Sequence, residues 1–433
     1  MASVTHRETP VLPARSLAVA AFSTIVEWYD FTLYLYFATV LARVFYGGGS
    51  GSLLLTLGGF AIAYLMRPLG AVFFSHIGDK YGRRRMLLMS VALMTAAMLA
   101  TALLPTRAMA GPAAGWLLLA LRCVMGFSVG GEYTGVVAYL LEGAPVRRRG
   151  LITSSASAAS EVGGLLAVGV SALTVSLVSA ADLERWAWRI PFFVGAALAA
   201  SVWIARSTMH ESPEFERQRD EGTVPQVPLR HALANHRSGI ARGFAISALG
   251  SITYYVGITY VPAFLTSAGS LSEGEALWLS TIAAVAVIAV TPLTGALSDR
   301  IGRKPVLVAL CLGSAALPIT MFSLMASSIH GQALAGALVL AMLAGAVSAV
   351  GAVATAEQFP GEGRITGLAL GATMATAIFG GLTPYAAQLL VERTGWSTAP
   401  GIMIAAVALC VLPVMLMLRE SAPNVIRNPS ASS

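Results

Sequence analysis

The sequence predicts an all-α membrane protein: twelve transmembrane helices in two pseudo-symmetric six-helix bundles, with both termini cytoplasmic. Three observations predict it. Of 433 residues, 56% are apolar and only 11% are charged, whereas a soluble domain carries roughly a quarter charged residues. The apolar residues gather into long runs, matching the roughly 20 residues a helix needs to cross a hydrocarbon core. One charged loop pattern also occurs twice, at matching places in the two halves of the chain.

Taken in order, the runs predict helices at 16–46, 52–75, 86–105, 113–142, 151–180, 187–208, 240–266, 275–297, 305–327, 331–358, 366–391 and 398–418, bounded by glycine, proline or charge. The first run holds Glu27 and Asp30 and lacks a small-residue cleavage site, so it reads as a retained helix and not a signal peptide. The longest polar stretch, 210–239, is punctuated by Pro213, Pro225 and Pro228. It divides the chain into a first bundle over 1–208, a cytoplasmic linker over 209–239 and a second bundle over 240–433.

Orientation follows from the 28 lysines and arginines. Arg43, Arg107, Arg185, Arg189 and Arg393 fall in outer segments, Arg67 and Arg122 fall within helices, and all the others fall on the side of the termini. Positive residues stay inside. The net charge of +7 is accordingly matched to anionic lipid, making the bilayer the partner and not nucleic acid. Cys123, Cys311 and Cys410 sit in apolar runs without CxxC spacing, so neither a disulfide nor a metal site is expected. There is no HExxH, GxSxG or phosphate-loop pattern, which argues against an enzyme.

The repeated loops are SHIGDKYGRRR at 75–85 and GALSDRIGRK at 295–304. In each, an aspartate at a helix end faces loop arginines, Asp79 with Arg83 and Asp299 with Arg303, a pairing suited to a clasp that gates one end of the bundle. These loops resemble the signature of the major facilitator superfamily. The second copy fits from Gly295 to Lys304, whereas the first has Ser75 in place of the leading glycine.

EWYDF at 27–31, MRPLG at 66–70, RCVMGFSVGGEY at 122–133, APVRRRG at 144–150, WRIPFF at 188–193, ESPEF at 211–215 and FGGLTP at 379–384 resemble the metabolite:proton symporter family over nearly the whole chain. That resemblance implies a monomeric carrier in a prokaryotic cytoplasmic (inner) membrane. It would import a small-molecule substrate by alternating access, with the proton as coupling ion and no cofactor. The fifth helix has no proline, which favours symport over the antiport of relatives with a Gly-Pro signature there. The string ATAIFGGLTP and Arg122 lean toward a citrate-like organic acid, whereas TYYVGITYVP at 253–262 leaves a zwitterion such as proline or betaine open. A channel or a transporter-like receptor on the same fold is the rival from another class.

Charges inside the membrane are costly and therefore candidates for function. Ser23, Glu27, Asp30 and Tyr34 recur at steps of four, three and four, one stripe of a helix expected to face a central cavity. The resemblance pairs Asp30 with Arg122 as the proton-coupling couple. Protonating Asp30 would release Arg122 to grip a substrate carboxylate, and Glu27 is the alternative carboxylate. Glu132 is either a proton relay or a structural partner for Arg67. Glu161 is either substrate-selective or a buried neutral acid. Tyr34, Tyr133, Tyr254, Tyr255, Tyr385 and Gln388 are positioned to bind substrate or merely to pack. No histidine lies at mid-membrane, so the proton carrier is expected to be a carboxylate.

Overall fold

The computed structural model describes residues 14–49, 51–130, 132–208, 211, 213–222, 233–269, 271–359 and 364–427, and they are helical almost throughout. With no water to satisfy its peptide groups, a chain in hydrocarbon must close its hydrogen bonds within each segment, and a helix does so. Helices α1 (Ala14–Tyr36), α2 (Ala38–Tyr46), α3 (Ser52–Tyr81), α4 (Arg83–Ala102), α5 (Ala113–Val129), α6 (Glu132–Gly143), α7 (Arg149–Leu177) and α8 (Ile190–Ser207) come first. After the linker come α9 (Arg237–Thr259), α10 (Val261–Ser267), α11 (Glu273–Ile301), α12 (Arg303–Ala316), α13 (Pro318–Met325), α14 (His330–Ala356), α15 (Thr366–Thr394) and α16 (Ala399–Met417). Among the described residues, eight helices are long and apolar enough to cross a membrane, or ten if each of two bent pairs is one crossing.

Four runs that look continuous in the sequence are broken. The run 240–266 bends by 46° between α9 and α10, next to Pro262, and 305–327 bends by 47° between α12 and α13, next to Pro318. A proline ring removes one helical hydrogen bond and crowds the preceding turn, so the helix kinks there. The run 16–46 leaves helical geometry only at Phe37, and 113–142 parts where Gly130 ends α5. Wider π-turns interrupt α9 at Tyr255–Thr259 and α15 at Ala369–Thr373 and Ala377–Gly381. The linker contains a short helix, Pro213–Asp220, and its 223–232 stretch lies outside the described residues.

Packing repeats between the halves. α3 lies on α5 as α11 lies on α14, and α4 lies on α8 as α12 lies on α16, while α7 against α11 and α3 against α15 join one half to the other. The α3–α5 contact depends on glycine. A Cβ on Gly126 would overlap the Ala63 carbonyl oxygen, one on Gly70 the Phe127 carbonyl, and one on Gly130 the Arg67 carbonyl. Small residues let helix backbones touch where no hydrophobic force draws them together. Outward, Leu55, Leu69, Leu293 and Leu409 are more than half exposed, as lipid-facing side chains should be. The same glycine-mediated approach brings Arg67 on α3 and Arg122 on α5 beside α1.

Gly126→Val should therefore cost about 1–3 kcal/mol by overpacking, seen as a lower unfolding temperature of the purified protein in detergent. Gly169→Val, where an added Cβ meets nothing within 4 Å, should leave that temperature unchanged.

Candidate functional site

The acidic stripe of α1 turns into the first half. Ser23 is hydrogen-bonded by Arg206 of α8 at 2.5 Å, Glu27 pairs with Arg67 of α3 at 2.8 Å, Asp30 pairs with Arg122 of α5 at 2.8 Å, and the Tyr34 hydroxyl donates to the Thr56 carbonyl at 3.0 Å. All four stripe residues are buried. The structure thus joins Asp30 to Arg122, but it does not turn the stripe to a central cavity. The reason is electrostatic. Three arginines enter from α3, α5 and α8, and a buried charge left unpaired costs far more than a paired one, so the acids rotate toward them.

Arg122 also donates to Thr101 at 2.8 Å and lies 5.7 and 5.8 Å from the Tyr34 and Phe192 ring centroids. It is not among the residues that line the cavity described below. Glu132 is held not by Arg67 but by Arg206, with Ser90 as a second partner. Arg206, which the sequence places in a cytoplasmic segment, is fully buried. Its position in the last turn of α8 makes it look terminal, and only the packing of α8 on α1 and α4 carries it inward.

With the acids facing inward, the opposite side of α1 presents Trp28 to a cavity of about 120 Å3 between the halves. Tyr133 of α6, Tyr254 and Tyr255 of α9, Thr355 of α14 and Thr373 and Thr376 of α15 complete much of its wall, and the π-turns of α9 and α15 border it. Such turns often occur at functional sites because they offset side chains that a regular helix would stack. The Trp28 ring lies 4.9 Å from Tyr254, 5.7 Å from Tyr133 and 6.2 Å from Tyr255, centroid to centroid.

Among the described residues, Arg67 is the one charged side chain lining this space. Its guanidinium meets the Tyr64 hydroxyl, which in turn meets that of Tyr255, and lies 4.4 Å from the Phe31 ring centroid. Among the described residues, four of those lining the cavity have a buried polar atom without a hydrogen-bond partner: Trp28 Nε1, Arg67 Nε, Tyr254 Oη and Thr355 Oγ1. Tyr133 is hydrogen-bonded to Ser157 at 3.0 Å.

Other expected binding residues lie elsewhere. The Gln388 amide oxygen accepts from Tyr260 at 2.7 Å and Ser267 at 3.2 Å, and its amide nitrogen donates to Glu392 at 2.8 Å. The Tyr385 ring faces Gly58 of α3. Glu161 is buried in α7, near Tyr36, Tyr133 and Tyr254. Trp28, Tyr64 and Thr355 went unnoticed in the sequence. Trp28 was detectable in principle, since it follows Glu27 by about 100° around the helix and faces away once the acids face in.

The two charged loops close one end of the bundle, here termed the basic end. Gly82 and Gly302, with φ of 106° and 110°, turn α3 directly into α4 and α11 into α12, a conformation that favours glycine. Asp79 pairs with Arg83 at 3.2 Å and accepts from Thr366 of the other half at 2.7 Å. Asp299 pairs with Arg303 at 2.7 Å and accepts from the Gly150 and Leu151 amides at the start of α7, both at 2.9 Å. Arg364 adds a bridge to Glu142 at 3.1 Å.

A second repeat escaped the sequence reading. Glu211 accepts from the Arg83 amide and Glu420 from the Arg303 amide, each at 2.8 Å, so one carboxylate caps α4 and its counterpart caps α12. The signal was a Glu-Ser pair after the sixth helix of each half, at 211–212 and 420–421. At the far end, Arg43 bridges to Glu184 at 2.8 Å and across the halves to Glu273 at 3.1 Å. Contacts therefore join the two halves at both ends of the bundle.

Two similarly packed sets of membrane helices joined at both ends around a cavity have the architecture of a solute carrier. Residues 17–223 match the family model described as sugar (and other) transporter, and residues 244–433 match that of the major facilitator superfamily. The chain is 31% identical to the proline/betaine transporter of Salmonella typhimurium, covering 96% of this chain and 86% of that protein. It is 31% identical to the citrate-proton symporter of Klebsiella pneumoniae (96% and 97% covered) and 33% identical to the alpha-ketoglutarate permease of Escherichia coli (93% and 92% covered).

Among solved structures it resembles the proton:xylose symporter XylE bound to 6-bromo-6-deoxy-D-glucose, with a TM-score of 0.78 and 19% identity over 94% of this chain and 96% of that one. It also resembles XylE from E. coli in a partially occluded inward-open conformation, with a TM-score of 0.76, 19% identity and coverage of 94% and 98%. The chain belongs to the major facilitator superfamily, in the metabolite:proton symporter family its motifs indicate. It is a transporter and not an enzyme.

Asp299→Asn should loosen the basic end, because an amide cannot hold Arg303 and both α7 amides as a carboxylate does. With the three native cysteines replaced, a single Thr355→Cys probe should react with a water-soluble maleimide about threefold faster or more in the Asp299→Asn background, as a shift of the closed–open equilibrium requires.

Proposed function

We propose that this protein imports a small solute bearing a carboxylate, in symport with protons, across a prokaryotic cytoplasmic membrane. The carrying observation is the cavity, whose lining holds one cation among the described residues, Arg67. A carboxylate docked beside Arg67 pairs with its guanidinium while Glu27 keeps its bond to Nη2. An organic acid then adds negative charge to a site that was neutral, a buried uncompensated charge opposes closure, and taking up a proton removes that obstacle. A zwitterion adds no net charge, so for it the proton serves as the energy source alone. Proton influx also supplies about 2.3 kcal/mol per charge per 100 mV of membrane potential.

In this reading the chain crosses the membrane twelve times. Counting α1 with α2 and α5 with α6 as two further crossings, beside the ten that length and composition allow, supports that number. The basic end, with Lys80, Arg83, Arg84, Arg85, Arg300, Arg303 and Lys304, is cytoplasmic by the charge rule, and so are both termini. Residues 1–208 and 240–433 act as two bodies that rock about the cavity, joined by the 209–239 linker, and the carrier works as a monomer.

Between an organic acid and a zwitterion, one observation favours the zwitterion. Citrate would bring three carboxylates to one guanidinium already shared with Glu27. Proline or betaine brings one carboxylate and a cationic group, and the Trp28, Tyr254 and Tyr255 faces suit a cation.

In proteoliposomes with an imposed pH gradient, radiolabelled proline or betaine should accumulate above its external level and be released by a protonophore. Equilibration without accumulation would mean a channel, and no movement of these solutes, citrate or 2-oxoglutarate would mean a receptor. Arg67→Lys should lower uptake about tenfold or more, since an ammonium cannot hold Glu27, Tyr64 and a solute in one planar fork.

A further inference from the structure

Three of the four acids buried among the helices at the depth of the cavity have an arginine of their own: Glu27 with Arg67, Asp30 with Arg122 and Glu132 with Arg206. The fourth, Glu161 on α7, has none. It is 2% exposed, makes no hydrogen bond or ion pair among the described residues, and its Oε1 is sealed without a partner.

Its electrostatic neighbours are hydroxyls, Tyr36 on α1, Tyr133 on α6 and Tyr254 on α9, and those of Tyr36 and Tyr254 both lie against Gly164, three residues further along α7. The other helices packed on α7 bring no counter-charge to this depth. α14 has no titratable side chain after His330, α11 has Glu273 and Glu275 in its first turn and Asp299 and Arg300 in its last, and the one charge of α8 is Arg206, held by Glu132. On α7 itself the other charge is Arg149, at its start. A carboxylate so placed cannot stay ionised in a closed, water-free protein.

We propose that Glu161 carries the coupling proton, an inference that rests on the symport reading above. While the carrier is open to the outside, the carboxylate takes a proton from water. It crosses as the neutral acid and returns the proton to water inside, so that a single O–H bond forms and breaks. Tyr254 links this step to the solute. Its hydroxyl has no partner, it lines the cavity, and it lies against Gly164, three residues beyond Glu161 on α7. A solute that accepts a hydrogen bond from the Tyr254 hydroxyl would keep that donor from the Glu161 carboxylate and so favour its protonation. On the empty return the Tyr254 hydroxyl, unbonded in this structure, would have to turn to the carboxylate to stabilise its ionised form. The arginine-paired acids lack this property, because each already has its compensating charge in place.

The test uses the full chain in proteoliposomes with proline and 2-oxoglutarate as probes. Glu161→Gln should lose pH-driven accumulation about tenfold or more while counterflow at equal pH persists, the signature of an intact solute pathway without proton coupling. Glu161→Asp, which keeps the carboxyl group, should restore accumulation. Independently of any solute, infrared spectra of the purified protein should show the C=O band of a protonated buried carboxyl, absent in Glu161→Gln and retained in Asp30→Asn and Glu27→Gln. Accumulation by Glu161→Gln at the native level, or a band that survives Glu161→Gln and vanishes in Asp30→Asn, overturns the assignment. If the native protein moves neither probe, the symport reading fails, and the infrared band still decides whether Glu161 holds a proton.

Discussion

A charge inside hydrocarbon must bring its counter-charge with it, and that constraint organises the first half of this protein. Glu27, Asp30 and Glu132 each meet an arginine from another helix, so α1, α3, α5, α6 and α8 are joined by ion pairs as well as by packing. The cost of breaking any one of them is the cost of leaving its partner alone in a low-dielectric interior. This fixes the rotation of α1, and with it the face that carries Trp28 to the cavity. The second half has no such pairs at this depth among the described residues. Its helices α9, α14 and α15 contribute tyrosine, threonine and serine to the wall. One half supplies the electrostatics and the other supplies adaptable hydroxyls, a division that duplication alone would not produce.

The duplication is clearest at the basic end, where no solute is recognised. Gly82 and Gly302 share a backbone conformation, Asp79 and Asp299 share an arginine four residues on, and Glu211 and Glu420 cap equivalent helices. The copies diverge in how they reach the opposite half. Asp299 takes two backbone amides from the start of α7, where the helix dipole favours an anion, whereas Asp79 takes the Thr366 hydroxyl. The leading glycine of the loop pattern follows the same division. A Cβ on Gly295 would overlap Ser154 of α7, so α11 and α7 approach closely in the copy that retains glycine. At the equivalent place, Ser75 is accommodated and its hydroxyl bonds Val72.

The helical class and most helix limits were legible because they depend on composition and on punctuation by glycine, proline and charge, all local quantities. The proline-associated bends at Pro262 and Pro318 were legible in principle but were read as continuous runs. What the sequence could not supply was direction. Periodicity placed Ser23, Glu27, Asp30 and Tyr34 on one face correctly, yet whether that face meets a cavity or three arginines depends on helices far along the chain. Arg206 shows the same limit, since a basic residue in a last turn reads as interfacial until neighbouring helices are seen to enclose it. For Glu132, with a proton relay and a partner for Arg67 as the two readings, neither included the Arg206 that holds it.

The unpartnered atoms on the cavity wall connect these points. A folded protein satisfies nearly all its buried polar groups, and here unpartnered atoms occur both at the buried ion pairs, as at Arg122 Nε and Arg206 Nε, and on residues that line the cavity. Among the described residues, Trp28 Nε1, Arg67 Nε, Tyr254 Oη and Thr355 Oγ1 are the unpaired atoms of the cavity's lining residues, and a solute reaches them as those side chains turn. Each orphaned donor is a cost to the empty closed form that a solute with matching acceptors removes. Closure is therefore more favourable when the cavity is filled than when it is bare. Because the donors come from α1 and α3 on one side and from α9 and α14 on the other, the solute that satisfies them also holds the halves together. Binding and closing become one event, which is what a carrier requires if the solute is to cross without an open path.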